Sequence, residues 1–256
     1  MIYLDNGATT PVHERIKSVV IDMLNNTIGN PSSLHQLGLD AEKRIKEARF
    51  QVAKLFGAKE KNIIFTSGGS ESNNLAIKGT LGTYSNRGKH IIISSIEHAS
   101  VHNQAQRLEE EGFQVSYLSV DKNGFVNLDK LGELIRKDTI LVSIMHVNNE
   151  IGTIQDLKAI GNLIKEKNSN TIFFVYSVAS FGKLPMKISE WKADLVSVSG
   201  HKIHAPKGVG ALYIREKTKI HPLLTGGGQE MQFRSGTENT AYIAGLSKAI
   251  DIQKGS

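Results

Sequence analysis

The sequence predicts an α/β fold in which a mainly parallel seven-stranded sheet is flanked by helices. Two observations carry this. From about residue 40 onward, short β-rich runs alternate with segments of helical periodicity, the pattern of strand–helix–strand units whose helices cover a parallel sheet. Several of the β-rich runs are apolar almost without interruption, as strands buried on both faces are. The 256 residues are enough to bury a large core.

Taken in order, residues 1–15, with Thr9-Thr10-Pro11, read as an N-terminal arm. Ala41, Ile45, Ala48, Val52 and Leu55 recur at spacings of four and three and predict an amphipathic helix. Strands are predicted at Asn62–Thr66, His90–Ser94, Gln114–Leu118, Thr139–Met145, Ile172–Tyr176, Asp194–Val198 and Val209–Ile214. Leu128, Leu131, Leu134 and Ile135 form a helical stripe before the Thr139 strand, with Asn127 as its cap. Leu157, Ile160, Leu163 and Ile164 form another, and Thr240–Ile250 reads as a helix. No repeat or linker interrupts 15–250, so residues 16–256 are expected to be one domain. The ending Lys254-Gly255-Ser256 resembles a truncation.

Composition narrows the classes. With 39% apolar and 22% charged residues and no low-complexity stretch, the chain is that of a globular protein. It opens without a basic region followed by an apolar run, and no window approaches the roughly eighteen apolar residues of a membrane span. The expectation is a soluble, cytoplasmic protein with no membrane partner. The absence of cysteine excludes disulfides, thiolate metal sites and a nucleophilic thiol on this chain. A formal net charge of +6 comes from scattered lysines and arginines without interleaved aromatics, so no nucleic-acid partner is expected.

Four segments carry chemistry. Ile63 to Asn74 is a strand entering a small-residue turn, Ser67-Gly68-Gly69-Ser70, that opens a helix. Glycines there let a ligand approach the backbone, and the helix N-terminus favours a phosphate, although such turns also cap helices without binding anything. Val196 to Gly210 holds Ser199-Gly200-His201-Lys202 directly after a buried strand, where a lysine with a lowered pKa can form a Schiff base with an aldehyde cofactor. A surface lysine in a glycine-rich loop is the alternative, and the Gly-Lys-Ser/Thr order of a Walker loop is missing. Met145 to Gly152 and Ser94 to Ser100 place Asn148, Asn149 and His98 at strand C-termini, where open α/β sheets bind ligands. His98 reads equally as a helix cap, and its spacing to His102 supplies no third metal ligand, so no metal is predicted. Gly226 to Asn239 is a long glycine-rich loop whose Arg234 and Thr237 suit an anion and which, if flexible, could reach a neighbouring subunit; a linker is the alternative.

In this order the segments resemble the cysteine desulfurases that serve iron–sulfur cluster and thio-cofactor assembly, within the class V aminotransferases of fold type I. The resemblance covers essentially the whole chain, including Tyr3-Leu4-Asp5-Asn6-Gly7-Ala8-Thr9-Thr10-Pro11 and Gly29-Asn30-Pro31-Ser32-Ser33. Asn148-Asn149-Glu150-Ile151-Gly152 and Arg234-Ser235-Gly236-Thr237-Glu238-Asn239 separate it from the selenocysteine-lyase-like branch. The resemblance implies the large domain of a fold-type I transferase that uses pyridoxal 5′-phosphate (PLP) to take sulfur from L-cysteine, giving L-alanine and a protein persulfide. It implies that Lys202 forms the Schiff base and that His98 stacks on the pyridine ring and assists proton transfer. Gly69, Ser70, Ser199 and His201 would hold the phosphate, and Asn149 would approach the ring hydroxyl. Thr237 would reach the phosphate of the other subunit of a homodimer, and a sulfur-accepting or scaffold protein would be a further partner.

The sequence departs from the family in two places. Phe174-Val175-Tyr176-Ser177-Val178-Ala179-Ser180 aligns with a family strand reading His-Val-Asp-Ala-x-Gln-Ser. Tyr176 thus stands where an aspartate pairs with the pyridine nitrogen, and Ala179 stands where a glutamine reaches the ring hydroxyl. Weakened or lost cofactor binding is the expectation. The family also continues into a smaller C-terminal domain, with a sulfur-accepting cysteine and a substrate-binding arginine, that is not found here. Two readings follow: a desulfurase-type protein whose chain alone is inactive, or a non-catalytic homologue that dimerises or binds a partner.

Overall fold

The computed structural model describes residues 2–254; Gly255 and Ser256, part of the ending read as a truncation, lie outside them. Its helices are α1 (Glu14–Asn26), α2 (Gln36–Phe56), α3 (Gly69–Tyr84), α4 (Ala99–Glu110), α5 (Leu128–Leu134), α6 (Leu157–Lys167), α7 (Ile188–Trp191) and α8 (Thr240–Lys254). The strands are β1 (Ile63–Thr66), β2 (His90–Ser94), β3 (Gln114–Leu118), β4 (Thr139–Met145), β5 (Ile172–Tyr176), β6 (Leu195–Ser199) and β7 (Gly210–Ile214). They form one seven-stranded sheet in the order β1-β7-β6-β5-β4-β2-β3. Only β7 runs against its neighbours, pairing antiparallel with β1 and β6, so the α/β, mainly parallel reading holds.

β2, β3, β4 and β5 have the expected bounds, and the other three differ by one residue for local reasons. Asn62 leaves β1 because its side chain is spent on the preceding turn, accepting from Lys59 N and donating to Ile214 O at 2.7 Å. Asp194 leaves β6 because its carboxylate accepts from Phe173 N at 2.8 Å and Lys165 Nζ at 2.6 Å. β6 instead runs on to Ser199, paired with Gly210, while Val209 turns its carbonyl to Gly200 N. Asn127 caps α5 as expected, accepting from Lys130 N.

Each face of the sheet has its own apolar layer. Phe173, Val175, Val196 and Val198 pack with residues of α1, α2, α6 and α8, while Phe174, Leu141, Leu195 and Leu212 pack under α3 and α4. The alternation along β5 is the two-residue period of a strand buried on both sides. It turns Tyr176 to the α3/α4 side, where it groups with Met145, Val178 and Ile96 at the C-terminal end of the sheet.

The glycine-rich loop is tied to the body of the fold at Glu230. Glu230, 5% exposed, takes a two-pronged bond from Arg49 at 2.7 and 2.8 Å and accepts from Phe65 N at 2.8 Å. That anchor holds Glu230, Met231 and Gln232 at φ of 48°, 55° and 69°, left-handed backbone that such residues adopt only when the surroundings compel it. No helix among the described residues is long and apolar enough to cross a membrane.

Candidate functional site

A cavity of about 140 Å³ opens at the C-terminal ends of β5 and β6, between the starts of α3 and α4. The crevice outside the carboxyl ends of parallel strands is where open α/β sheets place their ligands. Gly69, Ser70, His98, Tyr176, Ser199, His201 and Lys202 all line it, so most of the residues singled out from the sequence meet in one place. A wider cleft of about 420 Å³ adjoins and shares Gly69, Ser70, Ser199 and His201 as its wall.

The wall is built by backbone chemistry. Gly68 sits at φ 151°, outside the range open to other residues, and Gly210 of β7 lies so near that a Cβ there would come within 2.7 Å of Gly68 Cα. This close packing lets β1 turn into α3 with the first-turn amides of Gly69 and Ser70 unspent on the helix. On the facing side, Gly200–Lys202 form a single 3₁₀ turn after β6. The N-terminal arm clasps that turn: Thr10 Oγ1 and N both donate to His201 O, Thr9 Oγ1 meets His201 Nδ1, and Lys202 Nζ donates to Gly7 O. Burial, with the charge of Lys183, lowers the Lys202 pKa, which favours the free amine that attacks carbonyls.

His98 is both the cap of α4 and a wall of the cavity. Its Nδ1 accepts from Ser100 N at 3.1 Å and meets Ser100 Oγ at 2.7 Å. Its imidazole lies face to face with the Tyr176 phenol, with 5.3 Å between ring centroids and 11° between planes. A third ring between two others needs about 7 Å, twice a carbon–carbon contact of about 3.5 Å, so none passes between this pair as it stands. Burial, then the charge of Glu97, raises the Tyr176 hydroxyl above its usual range, so it is neutral. The small-residue turn and Lys202 thus suit a phosphate and an aldehyde, while beside His98 the cavity is closed by an uncharged phenol.

Three singled-out residues lie elsewhere. Asn149 lies in the loop after β4 and donates to Glu150 Oε1. Ala179 follows Val178, which lines the cavity in its place. Thr237 borders a separate cavity of about 130 Å³ with Glu230 and Glu238, so within one chain it does not meet Lys202. Arg234 donates from Nε to Glu71 at 2.9 Å. His102 packs on Tyr117, and no group of three or more metal-ligating side chains gathers among the described residues. Sequence reasoning missed Ala8, Ser100 and Val178 as lining residues. Val178 could have been found, being two residues beyond Tyr176 next to the same strand end.

Beneath the cavity, burial pushes the Glu97 carboxyl up to about 8 against an ordinary 4.5, and Oε2 has no partner among the described residues. Between those values the folded chain keeps a proton that the unfolded chain has lost, so stability falls as pH rises. Buried His146, held down to about 4 from 6.5, acts with the opposite sign between those two values, and His90, His98 and His201, also lowered by burial, act in the same sense as His146 below pH 6.5. Above pH 6.5 the histidine contribution ends, and unfolding free energy from urea titrations is expected to fall with rising pH toward about pH 8 as Glu97 gives up its proton, with the lowered pKa of Lys202 opposing it at higher pH. Glu97→Gln should flatten that slope; a flat profile in the unaltered chain would show Glu97 to be ordinary.

The aminotransferase class-V family pattern matches residues 2–255. The chain belongs to that family. Among its relatives it is 49% identical to the cysteine desulfurase IscS of Dictyoglomus turgidum over 98% of this chain and 63% of that protein. The chain thus spans less than two thirds of that relative's length. Of the solved structures, a NifS-like protein superposes with a TM-score of 0.97 at 41% identity, over 99% of this chain and 70% of that one. The structure described as SspA in complex with cysteine superposes at 0.94 with 40% identity, over 98% and 72% respectively. The family implies dependence on PLP.

Proposed function

We propose that this chain is the cofactor-domain portion of a cysteine desulfurase-type protein. The parent reaction is removal of sulfur from L-cysteine, giving L-alanine and a protein persulfide for iron–sulfur cluster or thio-cofactor assembly. The observation that carries the reading is the convergence of Lys202, His98, Gly69, Ser70, Ser199 and His201 on one cavity in a chain of this family. Lys202 would hold the aldehyde and the amides and hydroxyls of Gly69, Ser70 and Ser199 the phosphate, with His201 beside them. PLP, when bound, supplies the electron sink of the family's chemistry.

Cofactor binding in this chain is weak in this reading, because Tyr176 fills the ring end and carries no charge and Ala179 carries no amide. Thr237, set apart from Lys202 within one chain, serves the cavity of a second copy in a cytoplasmic homodimer. With no cysteine among the 256 residues, the sulfur-accepting thiol belongs to a segment or partner outside them. Borohydride reduction after incubation with PLP, followed by peptide mapping, tests the site. Label on the Lys202 peptide, absent in Lys202→Ala, is expected; label on other lysines or on none would remove the proposal.

A further inference from the structure

The wall that His98 gives the cavity is governed by hydrogen bonds behind it. Asn73, fully buried on α3, donates from Nδ2 to Ser100 Oγ at 2.6 Å, and Gln104 of α4 donates from Nε2 to Ser100 O at 2.5 Å. The remaining amide oxygens, Asn73 Oδ1 and Gln104 Oε1, have no partner among the described residues. Ser100 therefore sits between two amides and the imidazole.

The direction of each bond is fixed by donor counting. The backbone N–H of Ser100 can only donate, and it points at His98 Nδ1, so Nδ1 carries a lone pair and no proton. The Ser100 hydroxyl, 2.7 Å from the same nitrogen, must then donate to it as well. A hydroxyl has one proton, so Ser100 Oγ is left to accept from Asn73, which fixes the orientation of that amide. The proton of the neutral imidazole is left on Nε2, the edge that α4 does not engage.

We propose that Ser100, gripped by Asn73, is a positioning residue that holds His98 as the neutral Nε2–H tautomer, so that His98 offers the cavity a hydrogen-bond donor rather than an acceptor. A cationic His98 would need a proton on Nδ1, breaking the cap of α4 and reversing the Ser100 hydroxyl bond. The titratable groups around the ring are Lys202 and His201 from the turn after β6, Glu150 from the loop after β4, and Tyr176 stacked on its face. Burial, then Lys202, lowers the His98 pKa while Glu150 opposes them, in keeping with a neutral ring. A donor edge favours ligands that present an acceptor atom there. That consequence rests on the cavity being the family's cofactor site; the tautomer does not.

Long-range proton–nitrogen NMR of the chain labelled with ¹⁵N-histidine reads the tautomer without any cofactor, with His98→Gln assigning the signal. At pH 7.5 the unaltered chain is expected to show the proton on Nε2. Ser100→Ala keeps the backbone N–H on Nδ1 and removes the hydroxyl, the shorter of the two bonds, so the Nε2–H form should weaken to a tautomer mixture and the His98 midpoint should rise by roughly one pH unit, and Ser100→Thr should restore both. A proton on Nδ1 in the unaltered chain, or a signal and midpoint unmoved in Ser100→Ala, would overturn the proposal. The unaltered chain decides the tautomer alone, so a Ser100→Ala chain that fails to fold leaves the first readout standing. A failed borohydride test with the expected tautomer would refute the cofactor reading and not this one.

Discussion

Replacing Tyr176 by Asp together with Ala179 by Gln is expected to tighten PLP binding by about 10- to 100-fold over the unaltered chain. The gain has two sources. Removing the phenol frees the space against His98, whose ring now lies 5.3 Å from that of Tyr176. A carboxylate at 176 then supplies a charge-assisted bond, worth about 1.5–3 kcal/mol, where the present side chain is neutral. Glu97 stays protonated at neutral pH, with a pKa near 8, so it does not repel the new charge. Tyr176→Ala separates the parts: it should regain space but not charge, and fall between the two. Equilibrium dialysis with PLP gives the three affinities, and equal values would show that the phenol is no obstacle.

Glu230→Ala is expected to lower unfolding free energy by about 3–5 kcal/mol, the largest stability effect of any single change proposed. It strands the Arg49 guanidinium, whose side chain is 13% exposed, removes the acceptor of Phe65 N, and releases three consecutive left-handed residues. Glu230→Gln, which keeps an acceptor, should cost less. By contrast the Lys61–Glu216 pair, 55% and 49% exposed, is screened by water, and Glu216→Ala should leave stability unchanged. Urea unfolding followed by circular dichroism separates the two, and comparable losses would show that burial does not set the strength of these pairs.

The sheet was legible because its strands are buried on both faces, and a continuous apolar run such as Ile172–Tyr176 has no other role in a chain of this size. α1 was not. Ile16, Val19, Val20 and Met23 do fall on one helical face, with Ile16 and Met23 buried, but the exposed apolar Ile21 and Leu24 beside them blur that stripe in the sequence. Within the site, Lys202, Gly69 and Ser70 announce themselves because their chemistry is set by neighbours in sequence. Ser100 does not, since its importance comes from Asn73 on another helix, and no local pattern encodes that meeting. The loop around Glu230 misled for the same reason: its glycines suggest freedom, while its anchor is Arg49, 181 positions away.

PLP uptake by the unaltered chain reads the state of the cavity most directly. Titrating it at micromolar concentration and following the Schiff-base absorbance, beside Lys202→Ala, gives the answer. The predicted result is a weak, incompletely saturating band that Lys202→Ala abolishes. Tight uptake of one PLP per chain would contradict the claim that Tyr176 fills the ring end of the cavity.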